Sequence, residues 1–120
     1  MNHATTSDSQ HARRPIGSLI SKSEKAQRKL APGTWQHTML RDNIKAMRIA
    51  LVLLEGDEGQ FRRDELRKAL AAIASMIRRA RTAQAGFPPG TSQHTLQKNR
   101  LKALRMAKGR IKEELDKGDA

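Results

Sequence analysis

Cysteine is absent from this 120-residue sequence, and aromatic residues are almost absent: the chain has one Trp, two Phe and no Tyr. Disulfide bonds, thiolate metal ligands and cysteine nucleophiles are therefore excluded. Any hydrophobic core has to be built from Leu, Ile, Met and Ala, which suit helices better than strands. The lack of cysteine also fits a cytoplasmic protein, and the cytoplasm is where we expect this one.

Long hydrophobic runs are also missing. The longest, residues 49–54 (IALVLL), is far shorter than the roughly 20 residues that cross a bilayer. The first thirty residues are polar and lack the apolar segment of a secretion signal. We therefore expect a soluble protein with no membrane partner.

Acidic residues are half as frequent as basic ones. The chain has 24 Lys and Arg against 12 Asp and Glu, which gives a net charge of +12 and an isoelectric point near 11.1. Such an excess indicates a polyanionic partner: nucleic acid, an anionic membrane surface or an acidic protein. The acids gather near residues 55–58 and 113–119, so the charge is polarised along the chain.

Apolar residues recur at helical spacing in three segments, and no segment alternates with the period of a strand. Thr34 and Thr91 are candidate N-caps of the first and third helices, Gly56 ends the first, and residues 86–90 form the turn after the second. The predicted inward positions are Leu40, Ile44, Met47, Leu51 and Leu54 in the first helix, Leu66, Leu70, Ile73, Ile77 and Ala80 in the second, and Leu101, Leu104, Ile111 and Leu115 in the third. The predicted fold is all-α, a small helical bundle of three long helices.

The N-terminal residues are less regular. Residues 1–17 have almost no large apolar side chain, so we expect a disordered tail there. Residues 18–31 have modest helical character and a basic surface, so they form either a fourth, short helix or a segment that folds on binding. The predicted organisation is this tail followed by one α-helical domain over residues 18–120.

An internal repeat begins at each of the two Pro-Gly-Thr turns. Residues 32–50 and 89–107 align without gaps at an offset of 57, and ten of the nineteen positions are identical. About half of the matches are explained by capping chemistry and by the apolar stripe. We interpret the agreement as internal duplication of a helix start.

The remaining matches form a basic row in each copy. Its members recur at i, i+4, i+8 and i+11, which places them on one helix face. They are His37, Arg41, Lys45 and Arg48 in the first copy and His94, Lys98, Lys102 and Arg105 in the second. Neither packing nor helix stability requires such a row, since like charges four residues apart destabilise a helix. Each row would span roughly 16 Å, enough to follow several phosphates of a nucleic-acid strand.

Arginines dominate one edge of the middle helix. Arg63, Arg67, Arg78 and Arg81 recur at helical spacing beside the apolar stripe. Arginine, unlike lysine, can grip a phosphate or carboxylate with two parallel hydrogen bonds. We include these four residues in the predicted binding site. A solvated charged face remains the simpler reading of any one of these rows.

Several functions lack support in the sequence. No histidine pair has the spacing of a zinc site, so we expect no metal ion and no cofactor. The chain has no glycine-rich phosphate loop and no nucleophile motif, so we predict that it is not an enzyme and takes no small-molecule substrate. The loops do not fit a helix-turn-helix motif, and sheet-based RNA readers need stacking aromatics that are scarce here.

These observations lead to one function and one alternative. We expect a non-catalytic protein that binds the phosphate backbone of RNA or DNA with low sequence specificity, as a small subunit or accessory factor of a nucleoprotein assembly. The alternative is a small inhibitor or adaptor that docks on an acidic surface of a partner protein.

Overall fold

The computed structural model describes residues 7–56 and 61–117, and helices are the only regular secondary structure there. Four helices follow one another: α1 (Ser7–Arg28), α2 (Trp35–Leu54), α3 (Arg63–Ala85) and α4 (Ser92–Lys117). They contain 22, 20, 23 and 26 residues, and no strand occurs in the described ranges. The prediction of an all-α fold is confirmed. The first helix is as long as the others, which differs from the expectation of three long helices and one short one.

Helix α1 begins well before residue 18. Ser9, Ala12, Ile16 and Ile20 are buried along one face, with Ile16 completely inaccessible to solvent. Residues 7–17, expected in a disordered tail, therefore form the first half of a packed helix. The sequence signal is weak because the first two inward residues are small, and because Pro15 lies inside the helix, where it removes a backbone donor. Residues 1–6 of the expected tail lie outside the described residues.

The core is a continuous cluster of Leu, Ile, Met and Ala from all four helices. Its largest fully buried side chains are Ile16, Met47, Leu53, Leu54, Ile73, Leu104 and Ile111. Most predicted inward positions are buried, whereas Leu40, Leu51, Leu70 and Leu115 are only partly buried. Ala46, Ala50, Ala103 and Ala107 are also buried in this core, and α2 and α4 contact each other.

The two Pro-Gly-Thr turns have the same hydrogen bonds. Thr34 Oγ1 accepts from the His37 amide at 3.3 Å and donates to Ala31 O at 2.9 Å. Thr91 Oγ1 accepts from the His94 amide at 3.2 Å and donates to Pro88 O at 2.8 Å. The preceding glycines, at positions 33 and 90, have φ of 93° and 89°, a region that side chains disfavour. The repeated Pro-Gly-Thr letters therefore specify a helix-capping turn in both places.

Both turns lie at the same end of the molecule. Arg79, near the end of α3, contacts Met39, near the start of α2, so these two helices are antiparallel. Each helix packs on its neighbours in the order α1, α2, α3, α4 and back to α1, while α2 and α4 also touch across the middle. The resulting body is flat, 42 × 38 × 19 Å. None of the described helices is long and apolar enough to cross a membrane.

Candidate nucleic-acid interface

The basic row on α2 is paired with carboxylates. Lys45 Nζ lies 3.4 Å from Glu65 of α3, and Arg48 forms an ion pair with Glu24 of α1. Arg41 lies 3.5 Å from the neighbouring Asp42. All three cations remain largely exposed, so each pair contributes little to stability. Their positive charge is nevertheless balanced locally by three acids.

The equivalent row on α4 has no such balance. Lys98, Lys102 and Arg105 are exposed and form no ion pair within the described residues. The repeat explains the difference in part: at the offset of 57, Arg81 stands where the first copy has Glu24, and Asn99 where it has Asp42. The two rows share their cations and differ in their acids.

The arginines predicted on α3 divide into two kinds. Arg63 is partly buried and donates from Nη1 to Leu115 O at 2.9 Å, which ties the start of α3 to the last turn of α4. Arg67, Arg78 and Arg81 are exposed and have no ion pair among the described residues. Arg63 therefore has a structural contact, whereas the other three are available to a ligand.

A shallow pocket between α3 and α4 brings together site residues from both helices. Arg81, His94 and Arg105 line it, with Phe87 of the turn beside them. His94 Nε2 lies 3.5 Å from the Gln84 amide nitrogen. His37 belongs to the other hairpin, where Gln27 Nε2 donates to its backbone carbonyl at 3.3 Å. Each histidine thus packs against a glutamine of its own hairpin.

The whole net charge of the chain resides in one segment. Residues 66–112 contain 12 Lys and Arg and no Asp or Glu, whereas the other residues contain 12 of each sign, since 24 − 12 leaves 12 bases against 12 acids. This segment covers most of α3 and α4. The helical spacing of the bases does not reveal this segment; the absence of acids over 47 consecutive residues is the signal that does.

Not every base in this segment is free to bind. Arg110 donates from Nε to Leu53 O at 3.2 Å and also pairs with Glu113, so it caps the end of α2. Arg100 is partly buried, and its Nε is inaccessible. Within segment 66–112, the exposed bases that form no ion pair with the described residues are Arg67, Lys68, Arg78, Arg79, Arg81, Lys98, Lys102, Arg105 and Lys112.

No metal-binding cluster is present among the described residues: within residues 7–56 and 61–117, no group of three or more His, Asp or Glu side chains could hold an ion.

Comparison with known proteins finds no matching family model, no matching curated protein and no matching solved structure.

Proposed function

We propose that the chain is a non-catalytic protein that binds the phosphate backbone of nucleic acid with low sequence specificity, mainly through the hairpin of α3 and α4. The observation that carries the proposal is the acid-free segment 66–112 with its 12 basic residues. A single-sign surface of this density attracts phosphates and releases their counterions, which drives non-specific binding. The proposed setting is a cytoplasmic nucleoprotein assembly.

The contrast between the two basic rows supports this assignment. Arg41, Lys45 and Arg48 have carboxylate neighbours that a phosphate would have to displace or repel. Lys98, Lys102 and Arg105 have none in the described structure, so a phosphate can approach them without that competition. Salt-dependent affinity and weak sequence preference are expected, since backbone contacts carry no direct sequence information.

The repeat fits a duplicated helical hairpin, and we include that origin in the proposal. At the same offset of 57, buried Ala12, Ile16 and Ile20 of α1 correspond to buried Ala69, Ile73 and Ile77 of α3. The agreement thus extends beyond the turns into the preceding helix. Duplication followed by replacement of Glu24 and Asp42 by their counterparts Arg81 and Asn99 would leave the basic row of the second copy without those two carboxylates beside it.

The test compares the same three repeat positions in both copies. Replacing Lys98, Lys102 and Arg105 by Gln should weaken binding to any nucleic-acid sequence and lower the slope of log affinity against log salt by about 2 to 3. Replacing Arg41, Lys45 and Arg48 by Gln is the matched control and should change the slope much less. Fluorescence anisotropy with a labelled oligonucleotide over a salt series measures both.

Two results would contradict the proposal. Equal losses in the two variants would show that the paired row contributes as much as the unpaired one, against the assignment to α3 and α4. Unchanged affinity in both variants would remove the backbone-binding function itself.

The exposed aromatic Trp35 favours a second candidate, a small inhibitor or adaptor that docks on an acidic partner protein. Its side chain is unusually exposed for a tryptophan, and such residues are frequent anchors of protein interfaces. Purified protein that carries nucleic acid removable by high salt, seen as a raised absorbance ratio of 260 to 280 nm, favours backbone binding over docking.

A further inference from the structure

The large exposed hydrophobic side chains gather at the turn end of the molecule. Trp35 is 70% exposed, Leu96 46% and Phe87 37%. Trp35 opens α2, Phe87 lies in the turn after α3, and Leu96 lies near the start of α4. Since both turns are at one end, this end combines apolar side chains with the cations of α3.

Arg79 of α3 contacts Met39, which lies one helical turn after Trp35 on α2. Met39 follows Trp35 by four residues and so lies on the same face of α2. Arg79 Nη1 lies 3.2 Å from Met39 Sδ, and Arg79 Nη2 lies 3.2 Å from Ser75 Oγ. The guanidinium is thus positioned by neutral atoms about one helical turn from the indole, and it has no carboxylate partner in the described structure.

Trp35 and Arg79 line the same groove between α2 and α3. Lys68 lies further along that groove and is also without an ion pair among the described residues. Arg41 and Lys45 line the groove as well, each beside its carboxylate neighbour, Asp42 or Glu65. A flat aromatic surface followed by cations along a groove is the arrangement that single-stranded nucleic acids recognise: bases stack on the ring while phosphates follow the charges.

We propose that the groove between α2 and α3 binds single-stranded nucleic acid, with an unpaired base stacked on Trp35 and an adjacent phosphate on Arg79. This inference rests on the proposed function and adds the strand type. A duplex keeps its bases stacked on one another, so it can use the cations of α3 and α4 but gains nothing from the exposed indole. Single strands should therefore bind more tightly than duplexes of equal charge.

Trp35 is the only tryptophan in the chain, so its emission reports this contact directly. Titration with a short oligothymidylate should quench the emission, and a blunt duplex should quench it much less. Trp35→Ala should weaken oligothymidylate binding roughly fivefold to a hundredfold and leave duplex binding unchanged. Trp35→Phe should restore part of the loss, because a smaller ring still stacks.

Leu96→Ala supplies the matched control, because it removes exposed apolar surface at the same end without removing a ring. It should leave both affinities unchanged. An equal loss from Leu96→Ala would overturn the stacking inference in favour of a general apolar contact. A nucleic-acid-free protein that sediments as a dimer and becomes monomeric on Trp35→Ala would overturn it in favour of self-association.

The failure of this inference is distinct from failure of the proposed function. If oligothymidylate and duplex both bind with the expected salt slope but neither quenches Trp35, stacking is wrong and backbone binding stands. If neither ligand binds at low salt, both are wrong.

Discussion

At the scale of single residues, Glu65 has an unusual number of donors. Its Oε1 accepts from the Arg62 amide at 3.2 Å, and its Oε2 lies 3.4 Å from Lys45 Nζ on α2. The Arg62 backbone donor, followed by Lys45, lowers the pKa of the Glu65 carboxyl below its usual value of 4.5. One carboxylate therefore completes the first turn of α3 and joins α3 to α2.

This lowered pKa predicts an acid-dependent loss of stability. A carboxyl whose folded pKa is depressed stabilises the fold fully above its unfolded pKa and loses that effect as the pH falls through the folded pKa. The melting temperature should thus decrease below about pH 4.5. Glu65→Gln should melt lower at neutral pH and decrease less steeply in acid.

Circular dichroism melts across this pH range measure the difference. Asp64 is the comparison, since partial desolvation opposes the shift but the charge and hydrogen bonds of Arg62 lower its pKa as well. Asp64→Asn should therefore also reduce the acid sensitivity. Parallel curves for wild type and Glu65→Gln would contradict the linkage.

At the scale of elements, the packing of α1 into the core determines which substitutions near the start of the chain should destabilise the fold. Ile16 is fully buried against the other helices, and its counterpart in the repeat is the equally buried Ile73. Ile16→Ala should destabilise the protein by about 2–5 kcal/mol, the range for truncation of a buried Ile.

The control for that prediction lies on the same helix. Ser21 is exposed, so Ser21→Ala should leave the denaturant midpoint nearly unchanged. Urea unfolding monitored by circular dichroism compares the two variants. A midpoint for Ile16→Ala equal to that of wild type would mean that the first half of α1 contributes nothing to the core.

Helices α2, α3 and α4 were predictable because their apolar residues are large and because the turns between them contain Gly, Pro or Thr residues that end or cap helices. Thr34 and Thr91 were recognised as caps, and both make the expected hydrogen bonds. The start of α1 was not predictable in this way, because Ser9 and Ala12 give no hydrophobic signal before they are packed. Packing against the other helices, which these residue types do not reveal, determines the start of α1.

The candidate site was predictable to a similar degree. Helical spacing identified the rows that contain Lys45 and Lys102. It could not show that Glu65 lies beside Lys45, because that carboxylate is supplied by another helix. For the same reason it could not separate Arg63, which bonds to α4, from Arg81, which is exposed.

At the scale of the whole molecule, both hairpins are positive and the hairpin of α3 and α4 is the more so: residues 63–117 have 14 Lys and Arg against 5 Asp and Glu, whereas residues 7–54 have 9 against 3. The bases of segment 66–112 repel one another across α3 and α4, and this repulsion opposes folding. Salt screens such exposed charges, with a Debye length of about 10 Å at 0.1 M. Added salt should therefore raise the melting temperature by a few degrees, although it also weakens the ion pairs of α2.

The charge variants test this effect without a ligand. Replacing Lys98, Lys102 and Arg105 by Gln should raise the melting temperature at low salt and flatten its dependence on salt. Replacing Arg41, Lys45 and Arg48 should not raise it, because those cations have carboxylate neighbours. Differential scanning calorimetry over a salt series measures both. A melting temperature that falls with added salt in the wild type would contradict the repulsion.

The flat shape and uneven charge also bear on the kinetics of encounter. In a body of 42 × 38 × 19 Å whose α3–α4 hairpin carries more net positive charge than its α1–α2 hairpin, the electric dipole points toward α3 and α4. The field of a polyanion exerts a torque on such a dipole and turns the hairpin of α3 and α4 toward the polyanion before contact. A larger fraction of collisions then occurs in the binding orientation. The association rate should therefore be high at low salt and decrease steeply as salt is added. Glu24 and Asp42, the acids beside Arg48 and Arg41 in the α1–α2 hairpin, thus contribute to this orientation without contacting the polyanion.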